Sequence, residues 1–149
     1  MLSVPIVGVI KKGSDDEPEV QLWEDFAAMF APPPYDPQEA LIRAKTLLPG
    51  YLQDDQYYLS LALIFANVSG MREIWPRYFK PGDVDIPGLK KNVLRFLSSG
   101  ELFMVKLALH LFNDSNKLPS DGLLGLRNLD NYHFELAMHA LRVFTRGSR

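Results

Sequence analysis

The chain has 149 residues, 47% hydrophobic and 23% charged, with a formal net charge of −2 and no cysteine. Such a length and balance suit one folded domain with a real core and exclude a disordered or fibrous chain. The missing cysteines exclude disulfides, thiolate nucleophiles and cysteine-ligated zinc or iron–sulfur sites, and the mild acidity argues against non-specific binding to nucleic acid or to an anionic membrane.

The charge is uneven. Residues 1–30 hold Lys11 and Lys12 against six acidic residues, net −4, whereas residues 72–106 hold seven cations against four acids, net +3. An asymmetry of this kind can orient a partner or a second copy of the chain.

The opening MLSVPIVGVIKKG is apolar, but its lysines follow the apolar run and Pro5 and Gly8 interrupt it. It reads as a short strand or extended arm over residues 1–13 rather than a secretory signal. Pro18 then stands behind acidic residues that complement a helix dipole, and Val20, Trp23, Phe26, Ala27 and Phe30 recur at helical spacing until the prolines at 32–34 end the run. Asp36-Pro37-Gln38-Glu39 combines an N-cap, a first-turn proline and an acid, and predicts a helix through Leu41, Ala44 and Leu48 that stops at Pro49-Gly50.

The segment from about Asp55 to Val68 is apolar on nearly every side, with Gln56, Ser60 and Asn67 on one narrow stripe. It belongs in the middle of the fold, and it falls short of the ~20 residues that a membrane-spanning helix needs. A soluble, cytoplasmic protein without a membrane partner is expected. Ser69-Gly70 suits a C-terminal turn, and Met71 to Trp75 form at most a short helix before Pro76. In KPGDVDIPG, residues 83–86 alternate apolar with acidic and are expected to pair with residues 4–10 as a minor β element. Pro87 opens a helix expected to turn Leu89, Val93, Phe96 and Leu97 inward and Lys90, Lys91 and Arg95 to water.

Leu97-Ser98-Ser99-Gly100-Glu101 has much the lettering of an ABC-type ATPase signature. A signature helix needs a phosphate loop on the same chain, and no Gly-Lys pair exists anywhere in this one. Nor is Leu126-Arg127-Asn128-Leu129-Asp130 a Walker B strand, since Arg and Asn break its apolar run. Ser98 and Glu101 stand instead at capping-box spacing, opening a second nearly all-apolar helix over about 101–113, polar only along Lys106, His110 and Asn113. After a turn-rich stretch, Asp130 caps a helix from about Asn131 to Thr145, with an apolar stripe of Phe134, Ala137, Met138, Leu141 and Phe144 and a wet stripe that includes Glu135 and His139.

His110, His133 and His139 are the candidate imidazole ligands or bases, but none lies in an H-E-x-x-H pattern, and His133 and His139 fall on different faces of one helix. Glu135 and His139, one turn apart, form a plausible but weak surface pair. Asp114-Ser115-Asn116 begins like a calcium loop, yet the sixth position is Pro119 and the twelfth Gly125. No catalytic, cofactor or metal site is therefore assigned. Asn67-Val68-Ser69 and Asn113-Asp114-Ser115 match a glycosylation sequon, which carries no weight without a secretory signal. In MREIWPRYFK, the cations Arg72, Arg77 and Lys80 interleave with Trp75, Tyr78 and Phe79, a composition shared by base-stacking surfaces, by protein hot spots and by aromatic plugs whose cations point outward.

Leu97 to Glu101, Leu107 to Asn113, Leu129-Asp130 and Phe134 to Ala137 together resemble a family of small bacterial proteins without an assigned activity. The resemblance implies a bacterial, intracellular setting and brings no site residue with it. The expected fold is mainly α: one domain over residues 1–149, a bundle of five to seven helices with the 55–68 and 101–113 helices at its centre. The expected function is a non-enzymatic interaction or regulatory module, self-associating or holding a protein partner through Arg72, Trp75, Arg77, Tyr78 and Lys80. The alternatives are a nucleic-acid accessory protein using that segment, and an enzyme that gathers a histidine and carboxylates from separate helices.

Overall fold

Asp36, itself extended in backbone, starts a helix, its carboxylate accepting the amides of Gln38 and Glu39 at 3.0 and 3.3 Å. Pro37, at the first position, loses no bond there. This helix, α1, runs Pro37–Thr46. The structure is a computed structural model that describes residues 34–118 and 122–147, and from Tyr35 onward they form one compact unit. The expected arm over 1–13 and helix over 18–30 lie outside the described residues.

α2 (Gln56–Asn67) starts on Asp55, which accepts the amides of Tyr57 and Tyr58. Every residue of α2 from Leu59 to Asn67 is buried, in agreement with its nearly continuous apolar sequence. It packs against α1, against α5 (Ser99–Phe112) and against α6 (Asn131–Arg146). Burying each large apolar side chain stabilises the fold by about 1.5–3 kcal/mol, so α2 and its cover account for much of the stability. The mainly α architecture is as expected, and among the described residues no helix is long and apolar enough to cross a membrane.

Asn67, at the end of α2, ties three helices together. Its side-chain amide donates to the carbonyls of Ala40 (3.0 Å) and Leu63 (2.8 Å), its Oδ1 accepts from Arg43 (3.2 Å), and its backbone carbonyl accepts from the Tyr132 hydroxyl (3.2 Å). With its nitrogen so engaged and buried, this sequon position is closed to modification.

Gly70, at φ 82°, takes the left-handed turn that glycine adopts without steric cost, and leads into α3 (Met71–Tyr78). The expectation that this helix ends before Pro76 is corrected, because α3 runs through the proline. Pro76 forfeits only the bond to the Arg72 carbonyl, and the Phe79 amide still reaches the Trp75 carbonyl. Aromatic packing offsets that loss: Trp75 stacks on Phe79 at 4.4 Å, and Phe65 of α2 meets both edge-on at 5.7 and 4.7 Å.

The chain then makes a two-residue hairpin, β1 (Phe79–Lys80) antiparallel to β2 (Asp83–Val84), in register Phe79 to Val84 and Lys80 to Asp83. Residues 4–10, the expected partner of 83–86, lie outside the described residues. Ile86 opens α4 (Ile86–Asn92) instead of extending a strand, and Asp85 caps it by accepting the Gly88 amide at 2.9 Å. α4 breaks at Val93 into a 3₁₀ turn, Leu94–Phe96. The break resets the helical phase, so Leu94 is buried while Phe96, expected inside, is 72% exposed.

At the start of α5 both capping-box bonds form: Ser98 Oγ accepts the Glu101 amide at 3.3 Å and Glu101 Oε1 accepts the Ser98 amide at 3.1 Å. In the 3₁₀ segment Gly122–Asn128, Gly125 lies so near Phe103 that a Cβ there would stand 2.7 Å from the ring. α6, capped by Asp130 as expected, buries Leu136, Ala137, Ala140 and Val143. The apolar stripe expected on Phe134, Ala137, Met138, Leu141 and Phe144 is thus rotated: only Ala137 is buried, Phe134 is 37% exposed, and the other three lie half-buried at the flanks. Small Ala137 and Ala140 allow close approach to α2, which sends the bulkier side chains to the margins.

Replacing Leu63 by Ala is expected to cost about 2–5 kcal/mol through the cavity left in α2, against about 1 kcal/mol for Ser98→Ala at the cap. Urea unfolding measures both, and a smaller loss at Leu63 than at Ser98 would contradict the central place of α2.

Candidate ligand-binding cleft

The segment in which the sequence placed an interaction surface divides by side. Trp75 and Tyr78 are each only 5% exposed, fixed in the core by α3, so they are withdrawn from that surface. Arg72, Arg77 and Lys80 remain outside, with Arg72 donating to Thr46 Oγ1 at 3.3 Å. The inward rings leave no stacking platform for bases between these cations.

A different group of cations converges. α4, the Leu94–Phe96 turn, α5 and residues 115–118 enclose a cleft of about 600 Å³, within the roughly 300–1,000 Å³ range of small-molecule sites. Lys90, Arg95, Lys106 and Lys117 line it, and among the described residues no acidic side chain does. Its apolar wall is Leu94, Leu102, Leu109 and Leu118.

Asn116 organises one side. Its buried amide donates to the carbonyls of Leu109 and Asn113, both at 3.2 Å, while its Oδ1 accepts from Lys90 Nζ at 3.0 Å. His110 Nδ1 lies 2.8 Å from the Asn116 carbonyl, which can only accept, so the Nδ1 proton points there. The stretch weighed as a calcium loop is therefore a turn that fixes a lysine. On the far side of Leu102, a smaller cavity of about 190 Å³ adjoins Ser99, Gly100, Phe103 and Gly125.

The three histidines stand apart. His133 Nδ1 lies 3.0 Å from both oxygens of Asp130, whose carboxyl is held below the usual range chiefly by the hydrogen bond from the His133 amide. His139 turns not to Glu135 but to Tyr35, whose hydroxyl is 2.6 Å from its Nδ1. Burial, and then Arg142, lowers the His139 pKa; burial, and then Tyr132, raises that of Tyr35 well above the ordinary tyrosine value. Tyr35 and His139 thus share one short hydrogen bond, and burial disfavours the charged form of either partner. Among the described residues no three His, Asp or Glu side chains gather as metal ligands.

Sequence reasoning missed both arrangements. Tyr35 and His139 lie 104 positions apart, and no local pattern connects them. The cleft had one signal, the positive balance of residues 72–106, but Lys90 and Arg95 read as solvated residues of one continuous helix. Comparison with known proteins gives no match, whether to a family model, a curated protein or a solved structure.

Trp75→Ala is expected to destabilise the fold by about 3–5 kcal/mol, whereas Arg77→Ala should stay within about 0.5 kcal/mol; equal, small effects in chemical denaturation would return Trp75 to the surface. Because the unfolded chain binds the His139 proton more readily than the folded one, stability should fall as pH drops through about 6.5. That loss, measured between pH 7.5 and 5.5, should shrink in His139→Gln, and an unchanged loss would contradict the buried, neutral histidine.

Proposed function

We propose that the chain is a non-enzymatic binding module, regulatory in use, working in a bacterial cytoplasm, and that it recognises its effector through the basic cleft. One observation carries this reading: four cations from four separate segments face one cavity that no acidic side chain among the described residues lines. Like charges gathered without counter-charges repel one another, and an anion relieves that repulsion. The histidines support binding over chemistry, since His110 is spent on a backbone carbonyl, His133 on its own cap and His139 on Tyr35.

Self-association or docking of a protein partner is the companion reading, favoured by the exposed side chains of Phe96, Leu123 and Leu124. The Phe96 ring centre lies 4.8 Å from the guanidinium of Arg95, which lines the cleft.

Nuclear magnetic resonance titration tests the cleft. A soluble anion such as naphthalene sulfonate is expected to shift the amides of Lys90, Leu102, Lys106 and Lys117, with affinity that falls as salt is raised. Shifts confined to Arg72, Arg77 and Lys80, or no shift at all, would refute the assignment.

A further inference from the structure

Resting on the cleft as the recognition site, we infer that its ligand is a small amphipathic anion, a phosphate or carboxylate head joined to an aliphatic chain, bound as a single molecule. The head is indicated by Lys90. Of its three ammonium protons one is committed to Asn116 Oδ1, which leaves two for a ligand. Asn116 is itself only 8% exposed and pinned to two backbone carbonyls, so this lysine is held in place before a ligand arrives and less side-chain freedom is lost on binding. Lys106 of α5 and Lys117 of the following turn face the same space, which allows one head to be held from several directions.

The chain is indicated by the leucines. Leu94 and Leu109 are buried beneath the cleft and Leu102 and Leu118 are half-buried in its wall. A bare inorganic anion would leave that wall and most of the volume filled with water. An aliphatic chain displaces the water, and the gain scales with the apolar area covered. The two features are contiguous: Lys106 and Leu102 lie one turn apart on α5, and Lys117 and Leu118 are neighbours in sequence.

Isothermal titration of the full chain with four probes tests the inference: octyl phosphate below its micelle concentration, inorganic phosphate, octyl glucoside, and vesicles of phosphatidylglycerol. Octyl phosphate is expected to bind at least about tenfold more tightly than inorganic phosphate or octyl glucoside. Lys90→Gln and Lys106→Gln, both at solvent-accessible positions and so expected to stay folded, should each weaken it several-fold, and Leu118→Ser should weaken octyl phosphate while sparing inorganic phosphate. Equal affinity for inorganic phosphate would overturn the amphiphile and leave the basic cleft standing. Vesicle binding without monomer binding would overturn the single-molecule ligand in favour of a membrane surface. No binding of any anion would overturn both this inference and the cleft as recognition site.

Discussion

A helix without a polar face persists in water only if other elements cover all of it, and α2 imposes that requirement on the rest of the molecule. The cover is built from close approach on two sides, where Ala40 and Ala44 of α1 and Ala137 and Ala140 of α6 are buried, and from larger side chains on α5. The one strongly polar group at the end of α2, Asn67, is accommodated because every atom it would otherwise strand has a partner: two carbonyls, an arginine and a tyrosine hydroxyl. Those bonds also set how α1 and α6 lie against the C-terminal end of α2. Among the described residues no buried side-chain nitrogen or oxygen is left unpartnered, as a well-packed interior requires.

The cleft follows from where the cover ends. α5 buries Phe103, Met104, Val105, Leu107, Ala108, Leu109 and Leu111, and is only partly covered along Lys106 and His110. α4 lies beside that edge but is seven residues long and breaks at Val93, so it shields part of the edge and then turns away. The 3₁₀ turn and the Asn116 turn form the rim. A basic cleft with a leucine wall is thus the place where a second central helix meets an incomplete outer layer.

What could be read from the sequence was local or periodic. The caps at Asp36, Ser98 with Glu101, and Asp130 depend on spacings of a few residues, and the two central helices show themselves through an almost unbroken apolar composition. The errors came where distant packing decides. Pro76 stops a helix in isolation, but the stack of Trp75 on Phe79 and its edge-on contact with Phe65 hold the turn around it. Phe96 fits an inward stripe only if α4 continues unbroken, and Phe134 only if the aromatic side of α6 faces the core, whereas Leu136, Ala137, Ala140 and Val143 do. The cleft and the Tyr35–His139 pair unite residues from separate elements, and no periodicity within one element can reveal such a meeting. The aromatic segment at 72–80 could be parsed by chemistry but not by side, because helical phase across Pro76 determines which residues turn inward.

The continuous burial of α2 from Leu59 to Asn67 and the buried inner side of α5 also bear on how such a chain can change over generations. A substitution on an outer helix can face water and pass unnoticed, but in residues 59–67 almost any change in volume or polarity meets a packed neighbour. Divergence should therefore accumulate in α1, α4 and α6 while the interior pair drifts slowly, and distant kin of this chain should remain recognisable longest by two short apolar helices that have little surface on which to vary.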